Sequence, residues 1–374
     1  MAAAVCVLAL AVGLTAAAGH QTKQGKSQSG WTTVVTGLDN PRGLRFGPDG
    51  ALYVAEGGTG GNISSTGDQN TAESETQPCK HVPPPIGPAT GGFNSRVTRI
   101  DRHGNKSVVA DKLASSGNGL IAGVADVQFV GHTLYALESG AGCSHGLSGT
   151  DNDLLRVNAD GTTSVVADLS AFQRTHPVAV IEPDDYEPDG TWYSMVAVGH
   201  DIYAVEPNHG EIDRIDTRTG KIERLVDMSA SVGHVVPTAL AVRGRHFYIG
   251  NLWHFPVEVG ASSIWGVSRH GDLSLRATGL TTVLGLVPGH DHVLYALESM
   301  TVGGFPNGFP GPTQNGSGKI VAVDRHGHQT TIASGLTMPG SMTMGPDGDL
   351  YVSNNSFGEA PGSGTIVRVP IPDH

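Results

Sequence analysis

Six residues stand at one place in a repeated hairpin, and each carries a side-chain oxygen: Glu56, Glu138, Glu206, Asn251, Glu298 and Asn354. Each lies three residues after a repeated tyrosine and closes a strand. Four carboxylates and two amides at one structural position would form a ring of hard oxygen ligands. Such a ring suits Ca²⁺ or Mg²⁺. A cation held there could polarise a carbonyl while an imidazole or carboxylate activates water, which is the chemistry of a metal-assisted lactonase or hydrolase. The competing role for a repeated acid is structural, accepting backbone N–H groups of an adjacent unit. Asp126 and Ser341 add oxygens where first strands begin, and Arg42 adds the nearest cation.

Histidine is abundant, with 17 in the chain. His103, His132, His200, His270, His290, His292, His326 and His328 fall in or beside short turns and read as solvated. Five others, His145, His176, His209, His234 and His254, lie in longer connections, where a neutral imidazole could serve as a general base or a ligand. No HExxH, GxSxG or CxxC accompanies them, so the common zinc and hydrolase signatures are absent. Gly57-Gly58-Thr59-Gly60-Gly61 lacks the following Gly-Lys-Ser/Thr and opens no helix. It reads as a loop stem, not a phosphate cradle.

The elements that must position these side chains are hairpins. Leu38 to Glu56, LDNPRGLRFGPDGALYVAE, returns as LTMPGSMTMGPDGDLYVSN from Leu336 to Asn354. An Asp-Gly turn between alternating apolar runs is a strong hairpin signal. Weaker copies begin near Val124, Ser194, Thr238 and Val283. Six of the eight tyrosines, Tyr53, Tyr135, Tyr203, Tyr248, Tyr295 and Tyr351, share one position of this hairpin, at intervals of 82, 68, 45, 47 and 56 residues. The shorter intervals match one propeller blade. A second hairpin follows the first in each unit, as in Arg96–Ile100 with Ser107–Ala110, giving four strands per unit.

The sixth unit runs out after Thr365–Val369. Trp31–Leu38 has the fourth-strand pattern of Thr330–Leu336, so the sequence predicts an all-β, six-bladed propeller closed by an N-terminal strand in the last blade. Strand alternation puts short turns on one face. Long connections, Gly57–Asn94, Ser139–Thr150, Ser170–Thr191 and Ser299–Ser317, share the other, where binding residues are expected.

The chain divides into a signal peptide (1–18), a polar linker (19–30) and the propeller (31–374). Residues 1–18 hold the apolar run Val5–Val12 and end on Ala16-Ala17-Ala18, with cleavage expected near Ala18 and export as the consequence. Of three cysteines, Cys6 leaves with the signal. Cys79 and Cys143 then form a candidate disulfide, on connections of the same face in neighbouring blades. A net charge of −12 and the absence of basic runs argue against nucleic acid or an anionic membrane as partner. No membrane-spanning segment is expected, and the propeller reads as a monomer.

TGLDNPRGLRFGPDGALYVAEGGTGG, with the later Arg-Val-Thr-Arg-Ile-Asp, Leu-Leu-Arg-Val and Pro-Thr-Ala-Leu-Ala-Val, resembles the ScyD/ScyE family over Trp31 to Val369. These are exported bacterial proteins named for a cyanobacterial pigment cluster, without an assigned activity. Relatives often carry a cysteine pair in the first long loop, whereas this chain has only Cys79 there. More distantly the repeats are similar to NHL-repeat and gluconolactonase-like propellers, some of which hold a divalent metal in the central tunnel. The long loops on one face and the lack of a complete catalytic motif point to binding of a small molecule or a partner protein on that face. The metal-assisted lactonase or hydrolase is the alternative.

Overall fold

The computed structural model describes residues 30–65, 87–117, 120–183, 185, 187–244, 246–268, 270–304, 315–358 and 360–371. The expected signal peptide, the linker as far as residue 29, and Cys79 lie outside them.

The repeated Gly-Pro-Asp-Gly turn has an atomic explanation. Its second glycine takes a left-handed backbone, φ 75° at Gly50 and 85° at Gly348, where a side chain would be strained. Its first glycine makes room for the repeated tyrosine. A Cβ at Gly47 would lie 2.5 Å from the Tyr53 ring, and one at Gly345 would lie 2.4 Å from Tyr351. The aspartate between them accepts the phenol O–H, Tyr53 to Asp49 at 3.2 Å and Tyr351 to Asp347 at 3.0 Å.

The strands form six sheets. After β1 (Thr32–Leu38), blade 1 contains β2 (Pro41–Phe46), β3 (Leu52–Glu56), β4 (Thr90–Ile100), β5 (Lys106–Gly117) and the short β6 (Ile121–Ala122). Blade 2 has β7 (Val124–Val130), β8 (Thr133–Glu138), β9 (Asp153–Val157) and β10 (Thr163–Asp168). Blade 3 has β11 (Ser194–Val198), β12 (Asp201–Glu206), β13 (Glu211–Asp216) and β14 (Ile222–Asp227). Blade 4 has β15 (Pro237–Arg243), β16 (His246–Asn251), β17 (Ser262–Val267) and β18 (Leu273–Leu280). Blade 5 has β19 (Val283–Pro288), β20 (Leu294–Glu298), β21 (Gly318–Val323) and β22 (Gln329–Leu336). Blade 6 has β23 (Ser341–Met344), β24 (Leu350–Asn354) and β25 (Gly364–Val369).

The first strands β2, β7, β11, β15, β19 and β23 pack in that cyclic order, and β23 returns to β2. The molecule is a six-bladed β-propeller. β1 pairs antiparallel with β25, Thr32 opposite Arg368 and Leu38 opposite Gly364, so the last sheet contains both ends of the repeat array. Apolar clusters fill the seams between blades. One joins Leu137, Leu154 and Trp192 to Ile202 and Ile215, burial that supplies most of the driving force for stacking.

Three local features depart from the sequence pattern. β4 starts at Thr90, inside the expected connection Gly57–Asn94, because glycines let two backbones approach. A Cβ on Gly61 would lie 2.1 Å from Gly91 O. Blade 1 gains a fifth strand in β6. Two short helices, α1 (Leu169–Thr175) and α2 (Met228–Val232), occupy links between blades. Each is capped by an aspartate, Asp168 accepting the Ala171 N–H at 2.7 Å and Asp227 the Ala230 N–H at 3.0 Å.

Candidate functional site

The six repeated oxygen-bearing residues are buried at the ends of their second strands, and each is hydrogen-bonded to backbone. Five of them fasten chain in their own blade. Glu56 accepts the Asp39 N–H at 2.6 Å, Glu206 the Thr191 N–H at 2.8 Å, Glu298 the Thr281 N–H at 2.6 Å and Asn354 the Thr337 N–H at 2.8 Å. Asn251 donates to Val235 O and accepts from the Ser263 N–H, both at 2.7 Å. Glu138 reaches the neighbouring blade and accepts the Ala114 N–H at 2.9 Å. Among the described residues, no three His, Cys, Asp or Glu side chains are gathered to hold a metal ion. Each of the six thus holds backbone: Glu56, Glu206, Glu298 and Asn354 take an N–H of the segment entering their blade, Asn251 takes one from β17 and Glu138 one from β5.

Asp126 and Arg42 are likewise committed to the ring. Asp126 accepts the Val127 N–H at 2.8 Å and the Met195 N–H at 2.9 Å, tying β7 to β11. It fits because residue 43 is glycine, where a Cβ would lie 2.0 Å from Asp126 Oδ1. Burial pushes its carboxyl up to about 6, against Arg45 and its two N–H donors. Arg42 donates to Ile121 O at 2.7 Å, and its guanidinium lies 4.9 Å from the Tyr193 ring centroid and 4.7 Å from that of Phe357. Burial draws its pKa down, partly offset by Tyr193. A cavity of about 460 Å³, lined by all six first strands, has Arg45, Asp126, Gln128, Ser194, Ser341 and Thr343 among its polar walls.

The long-loop face brings together four of the five singled-out histidines. The segment that carries the acidic partners of two of them, His145 and His234, is residues 182–192, between α1 and β11. Glu187 Oε2 lies 3.1 Å from His145 Nε2 and also accepts the Thr191 hydroxyl. Asp185 Oδ2 lies 3.0 Å from His234 Nε2. Asp189 accepts the Ser144 N–H and hydroxyl, each at 2.9 Å, and pairs with Arg174 at 2.8 Å. His209 meets the Gln173 amide. Outward, His234 stacks on His254 at 5.7 Å between centroids, and His254 on Trp253 at 4.3 Å. His176 stands apart, exposed at the end of α1 and stacked on Phe172.

Burial divides this cluster into a dry and a wet half. Burial alone would strip His145 of its proton, yet the Glu187 and Asp189 carboxylates outweigh it and raise its pKa. Burial would raise Glu187, but His145 holds it below the ordinary value. Both shifts favour the charged forms of this buried pair. His209, buried with weaker charge support, is lowered to about 3 and stays neutral. Asp185 and His234 retain 31% and 17% side-chain exposure, more than the His145–Glu187 pair at 5% and 12%. Trp253 has φ 70°, an uncommon conformation for a bulky side chain that the surroundings must hold.

Sequence patterning missed Asp185, Glu187, Tyr193, Trp253 and Phe357. The signal for the first two was present as a Pro-punctuated acidic run, Glu182-Pro183-Asp184-Asp185-Tyr186-Glu187-Pro188-Asp189. Cys143 sits in a 3-10 helix, Cys143–His145, and is disulfide-bonded.

The fold and this face define a six-bladed propeller with an acid–imidazole cluster on its long-loop side. No family model and no curated relative matches the chain. Solved structures do. Regucalcin, a calcium-binding protein from Agrobacterium tumefaciens, aligns with TM-score 0.54 and 12% identity over 91% of this chain and 94% of that one. A PQQ-bound aldose sugar dehydrogenase from Streptomyces coelicolor aligns with TM-score 0.53 and 12% identity over 90% and 96%. A gluconolactonase from Xanthomonas campestris gives TM-score 0.48 and 11% identity over 91% and 98%. At such identities the likeness is one of fold. Among the described residues, no helix is long and apolar enough to cross a membrane.

Proposed function

We propose that this chain is an exported, ScyD/ScyE-like propeller that binds a small molecule on its long-loop face, against the shelf of Trp253, His254 and His234. The observation that carries this role is convergence: links and loops of blades 2, 3 and 4 deliver two acid–imidazole pairs to one place, one buried and one more exposed. Aromatic faces beside a solvent-reachable acid–imidazole pair suit a ligand with a flat or ring-shaped apolar side and hydroxyl or carbonyl edges. A metal-assisted lactonase with its cation on the axial acids has less support, since those oxygens already hold backbone N–H groups.

Intrinsic tryptophan fluorescence tests the binding role, titrated separately with methyl β-glucoside, indole-3-acetate and p-nitrophenol as probes of sugar, anionic-aryl and neutral-aryl chemistry. At least one probe is expected to saturate with wild type, and to weaken tenfold or more in W253A and H234A. Linear, non-saturating responses to all three, or variants that respond like wild type, would overturn it.

A further inference from the structure

The same two cross-strand positions carry different charges in different blades. In blade 1, Glu56 stands opposite Arg96, whose Nη2 lies 2.8 Å from Glu56 Oε2, and Thr98 donates its hydroxyl to Glu56 Oε1. In blade 5, Glu298 stands opposite Lys319 at 3.0 Å. Both repeated acids have a base. In blade 3 the opposite residue is Glu211, and Asp213 stands at the position of Thr98. Blade 3 therefore holds three carboxylates, Glu206, Glu211 and Asp213, where blade 1 holds an acid, a base and a hydroxyl. All three are 0% exposed.

The nearest cation is Arg224 on β14, and it is already committed. Its Nε meets Glu211 Oε2, and its two terminal nitrogens donate to the carbonyls of His176 and Pro177. Glu206 is satisfied by the N–H groups of Thr191 and His209. What remains is Glu211 Oε1 and both oxygens of Asp213, three buried acceptors without a hydrogen-bond partner among the described residues. Alternate residues on a strand share a face. Ile215, the next on that face, packs with Leu137, Leu154 and Leu169, so the orphaned oxygens face the seam between blades 2 and 3. Gln173 of α1 connects to Glu206 through His209, whose N–H Glu206 accepts at 2.6 Å. Its amide meets His209, its Oε1 is also orphaned, and the ring of adjacent Phe172 lies 5.9 Å from the Arg224 guanidinium.

We propose that this seam binds one Ca²⁺-type divalent cation between Asp213 and the free oxygen of Glu211, standing in for the Arg or Lys of other blades. A single proton could serve two of the three orphaned oxygens and leave the third bare. Water would hydrogen-bond them but leave buried negative charge uncompensated, which is far more costly. A cation answers both needs. Carboxylate oxygens fixed by strand register suit Ca²⁺, whose coordination is flexible, better than Mg²⁺, which demands near-ideal octahedral geometry. The site is off the axis, inside the β-sheet stack, and separate from the Trp253 shelf.

Equilibrium dialysis of the full chain with ⁴⁵Ca²⁺, after exhaustive chelation, tests this. One ion per chain is expected for wild type and none for D213N. D213T, which copies the blade 1 hydroxyl, guards against a fold defect special to the amide. In parallel, Ca²⁺ at ~100-fold over Kd should raise the wild-type Tm by roughly 4 °C, with neither variant responding and Mg²⁺ much less effective. Wild type that binds no Ca²⁺, or D213N and D213T that bind it as wild type does, would overturn the proposal. A wild type that ignores the cation while D213N melts higher would also overturn it, assigning the seam to a protonated carboxyl pair.

Discussion

Glu138 shows what a repeated acid costs when its blade gives it no base. Among the described residues its hydrogen bond is from the Ala114 N–H, and after burial and Asp168 its charge helps push the Asp153 carboxyl on β9 up to about 8. Burial pushes the Glu138 carboxyl up from 4.5 to about 7, only partly opposed by Ala114. The folded protein thus keeps a proton that the unfolded chain releases at lower pH. Folding stability from this group is intact below pH 4.5 and lost as pH rises through 7. E138Q removes the titration and keeps an acceptor for Ala114. Urea midpoints at pH 5 and pH 8 should show wild type losing stability over that interval, and E138Q losing about 1–3 kcal/mol less. Equal slopes for the two proteins would dismiss Glu138 as a titrating group.

At the scale of elements, β1 is the strand on which the last sheet depends. It covers the outer side of β25, and Trp31 Nε1 donates to Ser334 O of the blade before at 2.9 Å. Without it, β25 presents a row of unpaired backbone groups, and a bare edge invites aggregation. Deleting residues 31–38 is expected to give insoluble protein or a Tm lower by more than ~10 °C, whereas deleting 19–30 should leave Tm unchanged. Light scattering and a thermal melt distinguish these outcomes. A soluble 31–38 deletion with the wild-type melting curve would show that the three remaining strands suffice.

For the molecule as a whole, the cysteines and the leader belong to one expectation. Cys143 is disulfide-bonded, and Cys79 is the only other cysteine beyond the apolar leader. Protein recovered from the medium of an exporting host should lack the residues up to about Ala18 and, in a non-reduced digest, yield a Cys79–Cys143 peptide. Reduction should lower Tm, since a cross-link between loops of neighbouring blades restricts the unfolded chain. An intact leader would refute export, and two free thiols would refute the pairing.

The amino-acid sequence by itself determined the propeller. Gly-Pro-Asp-Gly followed by Tyr is a local device: the turn, the glycine gap and the Asp–Tyr hydrogen bond lie within seven residues, Gly47–Tyr53. Repeating it specifies hairpins, and hairpins in register specify blades. The site depended on information of another kind. That Glu56 and Glu298 meet a base while Glu206 meets Glu211 follows from cross-strand register. Whether repeated acids converge on an ion or turn back to a backbone N–H depends on side-chain direction at each strand end. His145 and Glu187 lie far apart in the chain and meet only because adjacent blades stack. Their pKa shifts arise from burial and paired charge, which exist only once the seams close. Local periodicity therefore fixed the scaffold, and long-range packing decided which of its polar groups were left without partners.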